Sequence, residues 1–399
     1  MEVRKSEVPV LDLLRGVMPV MVMMSHAALW TGCGKQLHGV FIAGGLAVDV
    51  FIFISGFLML WHYLDREKKE RWEEMATWRR FWQRRFFRMA PLYWLVLSTV
   101  LLAHQPFSAW VEEYHRLYPP PWMDRLPEVS MVDPSMGVGN ALSHFTFLFG
   151  LIPKWASNNP LPDWSIGLEM QFYLAFPFLA LAIRKWGWVA TVLLLTVIWR
   201  VSLDRIQVGL LAPAGPWGWF PMPTFLPLRI GVFLTGMLAA GACFNPRNGR
   251  RFLWFMITSV AVAIWHNKWL AFPVAAFFGW EWLSGRPVLS GVWCMLVKKV
   301  SILLRSRPVG FIADCSYGVY LWHVPVQLCV IRVLLDAGVF AGRSSLERFA
   351  LLTGATLPLV YAITWVTFRL VEKPGIALGK RLLCSSAPLV ASGSAKANT

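Results

Sequence analysis

Apolar and polar positions fall along this chain in long blocks, not in short periods. Apolar runs about as long as a helix needs to cross a bilayer alternate with short polar stretches rich in Arg and Lys. At about 20 residues per crossing, the pattern predicts helices at 10–30, 41–62, 81–103, 163–183, 188–203, 222–243, 252–267, 269–284, 308–335 and 349–371. The run 141–153 is apolar but too short, and predicts a re-entrant or buried interfacial helix. Residues 288–304 are amphipathic and predict a helix on the membrane surface. The expected fold is all-α: a polytopic transmembrane bundle of about ten spans, one membrane domain over 1–380. Residues 381–399 predict a polar, disordered C-terminal tail.

Composition supports this class. The 399 residues are 56% hydrophobic and only 15% charged, too little polar surface for a soluble chain of this length. Trp (23) and Phe (27) are abundant, as suits aromatic belts at two lipid–water interfaces. The first apolar run lacks a small-residue cleavage pattern, so no signal peptide is expected. A net charge of +16 invites a nucleic-acid reading. The basic residues, however, are strung between apolar segments and form no polar domain, so topology explains them and no nucleic acid is expected. An even number of spans puts both termini on one side. About two-thirds of the 38 Lys and Arg fall in loops on that side, which makes both termini cytoplasmic. The long 105–162 loop, with Glu112, Glu113, Asp124, Glu128 and Asp133, then faces outward. The six cysteines include no CxxC pair, so neither a disulfide framework nor a metal site is indicated.

Four stretches carry ionisable residues that a lipid-spanning helix avoids unless they are used. In "LLRGVMPVMVMMSHAALW", Arg15 and His26 are eleven positions apart, which at about 100° per residue returns them to nearly one face. They are separated by about 16 Å along the axis. Asp12, three residues before Arg15, shares the face. An anion held at the cytoplasmic end by Arg15 could extend a thin arm towards His26, a geometry that fits an acyl-coenzyme A donor. The plainer reading is a snorkelling arginine and a hydrogen-bonded histidine. In "RRFFRMAPLYW", Arg85 and Arg88 project together, and paired guanidinium groups suit phosphate. In "LPDWSIGLEMQFYL", Asp163 and Trp164 mark the outer mouth of a span, and Glu169 lies five residues in. His26 and Arg15 are its candidate partners, and a purely structural ion pair is the alternative. In "CSYGVYLWHVPV", Tyr317, Tyr320 and His323 form a polar stripe that could line an acceptor pocket or simply pack against other spans.

Taken together, these stretches resemble the acyltransferase-3 family of bacterial membrane O-acyltransferases. Leu11, Asp12, Arg15, Gly16 and His26 match its opening pattern; Asp49, Ser55, Gly56 and Phe57 match its second-span signature. Arg85, Arg88, Pro91 and Tyr93 follow, then Trp164, Ser165, Glu169, Phe172 and Tyr173, then Tyr317 to Pro325, and finally Glu372 to Pro374. The matches keep family order over nearly the whole chain. The second span reads FIFIS where the family usually has more phenylalanine, a minor departure. Some members carry an extracytoplasmic SGNH esterase-like domain after the bundle, and none is legible in this sequence.

The resemblance implies a multi-pass enzyme of the bacterial inner membrane that takes an acyl group, usually acetyl, from cytoplasmic acyl-CoA. The acceptor would be a hydroxyl of a glycan, a lipid-linked sugar or a small metabolite. The site expectation follows residue by residue. His26 acts as general base or acyl-carrying nucleophile, with Asp12 and Glu169 assisting. Arg15, Arg85 and Arg88 hold the coenzyme A phosphates, and Trp164, Tyr317, Tyr320 and His323 face the acceptor. The rival class is a transporter or flippase, whose pore would carry the same ionisable residues without chemistry.

Overall fold

The computed structural model describes residues 8–33, 37–119, 137–156, 159, 161–209, 212–244, 248–284 and 292–385, apart from the side chains at 38, 40–42, 292–294 and 384–385. Among these the chain is almost wholly helical. In order come α1 (Pro9–Trp30), α2 (His38–Arg66), α3 (Met75–Leu102), α4 (His104–Leu117), α5 (Val138–Phe145), α6 (Trp164–Arg205) and α7 (Ile230–Phe244). They are followed by α8 (Gly249–His266), α9 (Ala271–Ser284), α10 (Val292–Leu304), α11 (Arg307–Asp336), α12 (Ser345–Thr367) and α13 (Lys373–Ser385). A parallel pair of two-residue strands, Gln207–Val208 and Trp219–Phe220, closes one connection.

Local sequence explains several boundaries. Pro9 opens α1 where its missing N–H costs nothing. Ser344 and Glu347 form a reciprocal capping box at the start of α12. Gly187 interrupts α6 with φ +80°, a left-handed conformation that glycine adopts without steric penalty. That break coincides with the expected gap between the spans 163–183 and 188–203. The expected span 222–243 begins late: Pro221, Pro223 and Pro227 keep the chain out of α-helix until Ile230, with a single 3-10 turn at Leu226–Leu228.

Among the described residues six helical runs are long and apolar enough to cross a bilayer: α1, α2 from Ala43, α3, α6, α11, and Ser345–Leu383, where a five-residue π-helical turn joins α12 to α13. They mark a multi-pass membrane protein. The count is below the expected figure of about ten for two reasons. The run α6 merges two expected spans, while α7 and α9, at 15 and 14 residues, fall short of about 20, and α8, at 18, carries Arg250, Arg251 and His266 and is less apolar than the six. Another correction concerns the stretch after α3. The 105–162 segment holds, besides α5, which overlaps the short helix expected at 141–153, most of an unforeseen helix, α4. On α4, His104, Phe107, Val111 and Tyr114 are buried at helical spacing. The acidic residues Asp124, Glu128 and Asp133 lie outside the described residues. So does the expected tail beyond Ser385, while α13 runs through the expected boundary at 380.

Helix α1 packs between α2 and α11, and α2 lies along α7. The α2–α7 approach depends on two glycines. A methyl on Gly56 would meet the Phe233 carbonyl, and one on Gly236 would meet the Phe53 carbonyl. Small residues allow backbones to come this close where lipid offers no hydrophobic drive to associate. Phe172 and Phe233 stack with centroids 3.9 Å apart, fixing α6 against α7. The resulting core surrounds the polar residues of α1, α3, α6 and α11.

Candidate active site

Side chains of five helices converge on a cavity of about 130 Å³. Helix α1 supplies Arg15, α2 supplies Ser55, α3 supplies Arg85 and Arg88, α6 supplies Ser165, Glu169 and Tyr173, and α11 supplies Tyr317 and Tyr320. Three lining residues are cationic and one is a carboxylate, so the wall favours an anion. The volume is below the 300–1,000 Å³ typical of a site that encloses a drug-sized ligand. It suits a phosphate or the narrow arm of a larger molecule.

The reach of Glu169 into this cavity follows from how α6 begins. Asp163, just before the helix, is 2% exposed and enclosed by neighbouring elements. One of its carboxylate oxygens accepts from the Tyr93 hydroxyl at 2.8 Å, His144 Nδ1 at 3.0 Å and Asn159 Nδ2 at 3.1 Å. The short apolar run with α5 delivers His144 there, stacked on Phe149 at 4.1 Å. From that anchor α6 carries Glu169 about a turn and a half further, into the cavity lined by the arginines. Ser55 Oγ donates to Glu169 Oε1 at 2.7 Å, and the Tyr173 hydroxyl donates to the same oxygen.

The three arginines have different surroundings. Arg15 Nη1 is 3.9 Å from Asp12, a loose i,i+3 pair. Arg88 Nη1 lies 3.2 Å from Glu372, whose side chain is only 1% exposed. Arg85 lies over the Phe81 and Tyr173 rings at 5.8 and 5.6 Å. Among the described residues it makes no ion pair, and it is well placed to offer its fork of donors to an incoming anion.

His26 lies next to this cavity rather than in its wall. Its hydrogen bonds go to Val22 O at 3.0 Å and to His323 Nε2 at 3.1 Å, and those of Glu169 go to Ser55 and Tyr173. Glu169, the expected partner of His26, therefore pairs elsewhere, and the neighbour of His26 is a second imidazole. Tyr320 joins the two regions: its ring centroid is 6.0 Å from that of His323, its hydroxyl is 2.7 Å from Ser165 Oγ, and it lines the cavity. Tyr317 also lines it, with its hydroxyl donating to Met89 O at 3.0 Å. Trp164 is not part of the wall and packs into the apolar core. So Arg15, Arg85, Arg88, Glu169, Tyr317 and Tyr320 come together, His26 and His323 pair beside them, and Asp12 and Trp164 stay at the margin.

Sequence reasoning assigned no role to Ser55, Ser165, Tyr173 or Glu372. Their places in the family motifs, and the i,i+4 spacing of Glu169 and Tyr173, were the signals available for them. It also missed Asp49, Arg229 and His266 as a buried group, in which Arg229 Nη1 is 2.9 Å from Asp49 and 2.6 Å from His266 Nε2. A larger groove of about 1,040 Å³ runs between α8 and α9, but Glu281 is its only ionisable lining residue and it is far poorer in chemistry.

Comparison with known proteins matches residues 8–365 to the family model described as an acyltransferase domain. This chain belongs to the acyltransferase-3 family. Among curated proteins it is similar to peptidoglycan O-acetyltransferase OatA of Listeria monocytogenes, 24% identical over 387 residues, covering 93% of this chain and 56% of that protein. It is also similar to acyltransferase MdmB of Streptomyces mycarofaciens, 24% identical over 233 residues, 53% of this chain and 51% of MdmB. Nodulation protein 10 of Rhizobium leguminosarum bv. viciae is 24% identical over 346 residues, 81% of this chain and 83% of its own length. The chain spans about half the length of the first two of these relatives. No solved structure matches it significantly. Family membership supports an enzyme that transfers acyl groups, and it turns the question at this site from what class of protein to which atoms act.

Proposed function

We propose that this protein is a membrane O-acyltransferase that moves an acyl group, acetyl in the first instance, from cytoplasmic acyl-CoA to a hydroxyl acceptor. The acceptor class is a glycan, a lipid-linked sugar or a small metabolite, and the membrane is the bacterial inner membrane. About ten crossings with both termini cytoplasmic fit the distribution of basic loops, with α6 counted twice at Gly187 and α7 to α9 as short spans. The observation that carries the reading is the arrangement of Arg15, Arg85 and Arg88 around one cavity with His26 just beyond its Tyr320 wall.

In this reading the arginines hold donor phosphates through charge-assisted hydrogen bonds. His26 accepts the proton of the acceptor hydroxyl as its oxygen attacks the thioester carbonyl. The C–S bond then breaks, and the thiolate leaves with the proton returned by His26. Glu169, held by Ser55 and Tyr173, sets the charge of the cavity and has no part in the proton transfer.

The test is release of free thiol from labelled acetyl-CoA by purified protein supplied with a hydroxyl acceptor. His26→Ala should lower the rate by about 10²–10⁴ while leaving the fold intact. A transporter or flippase would release no thiol in either form. Retention of more than about a tenth of the activity in His26→Ala would remove His26 from the chemistry.

A further inference from the structure

We infer that His323 is a positioning residue for His26: it shares with the Val22 carbonyl the hydrogen on His26 Nδ1, which leaves Nε2 as the basic atom, and it orients the ring and steadies the imidazolium that forms there. The inference rests on the acyl-transfer reading above and adds an atom-level assignment to it.

Both imidazoles have a backbone carbonyl one turn earlier on their own helix. His323 Nδ1 is 3.1 Å from Val319 O. A carbonyl can only accept, so that nitrogen carries the hydrogen. His323 is fully buried beside another imidazole, where a second positive charge would be costly, and it is therefore neutral with its lone pair on Nε2. That lone pair is 3.1 Å from His26 Nδ1. Two lone pairs repel at this distance, so His26 Nδ1 carries a hydrogen. It is shared between His323 Nε2 and Val22 O, the latter at 3.0 Å. The remaining nitrogen of His26, Nε2, holds the lone pair.

The same geometry decides what His323 does during transfer. When His26 Nε2 takes the acceptor's proton, its Nδ1–H becomes a charge-assisted donor to His323 Nε2, roughly twice as strong as the neutral bond. The proton cannot travel further, because Val319 O accepts a hydrogen bond and cannot be protonated in its turn. His323 therefore orients and stabilises; it is not a shuttle. The proton stays on His26 Nε2 until the departing sulfur takes it. One turn along α11, fully buried Gln327 donates to Met23 O on α1 at 2.9 Å, which holds the two helices in the register that pairs the imidazoles.

Two variants separate this role from packing. His323→Leu keeps similar bulk but offers no acceptor, and His323→Gln returns an acceptor oxygen near the position of Nε2. In the thiol-release assay, His323→Leu should lower kcat on the order of 10–100-fold with the acyl-CoA KM unchanged, and His323→Gln should recover most of the loss. Independently of activity, ¹⁵N spectra of histidine-labelled protein should show His26 protonated at Nδ1 in the wild type. That signal is assigned as the one missing in His26→Ala; in His323→Leu the hydrogen should stay on Nδ1, held by Val22 O, with its resonance shifted by loss of the bond to His323. Wild-type kcat in His323→Leu alongside a dead His26→Ala would overturn the inference, as would a His26 resonance protonated at Nε2. If His26→Ala itself retained activity, the acyl-transfer reading would fall while the tautomer assignment still stood or fell on the spectra.

Discussion

Around Asp163, donors from Tyr93, His144 and Asn159 converge on one carboxylate oxygen, and the His144 ring is sealed from solvent beneath Phe149. Around Glu169 the arrangement is open: two hydroxyls satisfy one oxygen, while three arginines share the cavity wall with that single carboxylate. The two clusters contain similar residue types and sit on consecutive parts of α3 and α6. They differ in whether the charges and donors are used up internally. The Asp163 cluster spends its donors on one another and acts as an anchor for the start of α6. The Glu169 cluster keeps space and surplus positive charge, which is the condition for binding an anion.

This contrast has consequences that can be measured in order of size. Asp163→Ala leaves three buried donors without their acceptor and should destabilise the protein by about 2–5 kcal/mol, seen as a lower unfolding temperature in detergent. If that variant kept its stability but lost transfer, the anchor would belong to the chemistry and the contrast would fail. Arg88→Ala is intermediate in character. It should weaken donor binding and also reduce stability, because Glu372 is left buried and unpaired. Adding Glu372→Gln should restore stability without restoring binding. Arg85→Lys should touch binding alone, raising the acyl-CoA KM about tenfold as the bidentate fork is lost, with no change in unfolding temperature.

The smallest effect belongs to a pair outside both clusters. Glu70, between α2 and α3, accepts from Arg84 at 2.8 and 2.9 Å. Partial burial pushes its carboxyl up, yet the hydrogen bonds and charge of Arg84 outweigh this and hold it below its ordinary value of 4.5. A depressed carboxylate contributes stability above the ordinary value and loses it as pH falls through the lower, folded value. Since the pair is partly exposed, Glu70→Gln should cost no more than about 1 kcal/mol at neutral pH, and nothing once the carboxylate is protonated.

Much of this was legible in the sequence, for identifiable reasons. Arg15, His26, Arg85, Arg88 and Glu169 stood out because charge inside an apolar run is rare, and Arg184 and Lys185 marked the gap between two apolar runs where the structure breaks α6 at Gly187. Pairing was not legible. Helical spacing places Arg15 and His26 on one face, but it says nothing of what another helix brings opposite. The sequence therefore offered Glu169 to His26, and the fold supplies His323. The cause is that pairing between helices is a tertiary property: α11 lies against α1 and brings His323 to His26, while Ser55 of α2 and Tyr173 take Glu169. His144 was passed over for a related reason: it lies in a run too short to span, and only tertiary packing shows where such a run goes.

The open cluster is most directly tested by equilibrium binding of labelled acetyl-CoA to purified wild type and Arg85→Ala, at low and high salt. Arg85 is the informative position because, among the described residues, it makes no ion pair whose loss would confuse the result. The wild type should bind, and should weaken as salt screens the arginines. Arg85→Ala should bind at least about tenfold more weakly at low salt and show a shallower salt dependence, with an unchanged unfolding temperature. Equal affinity and equal salt dependence in the two proteins would contradict the account, and would leave the arginines as topology signals beside a cavity that binds something else.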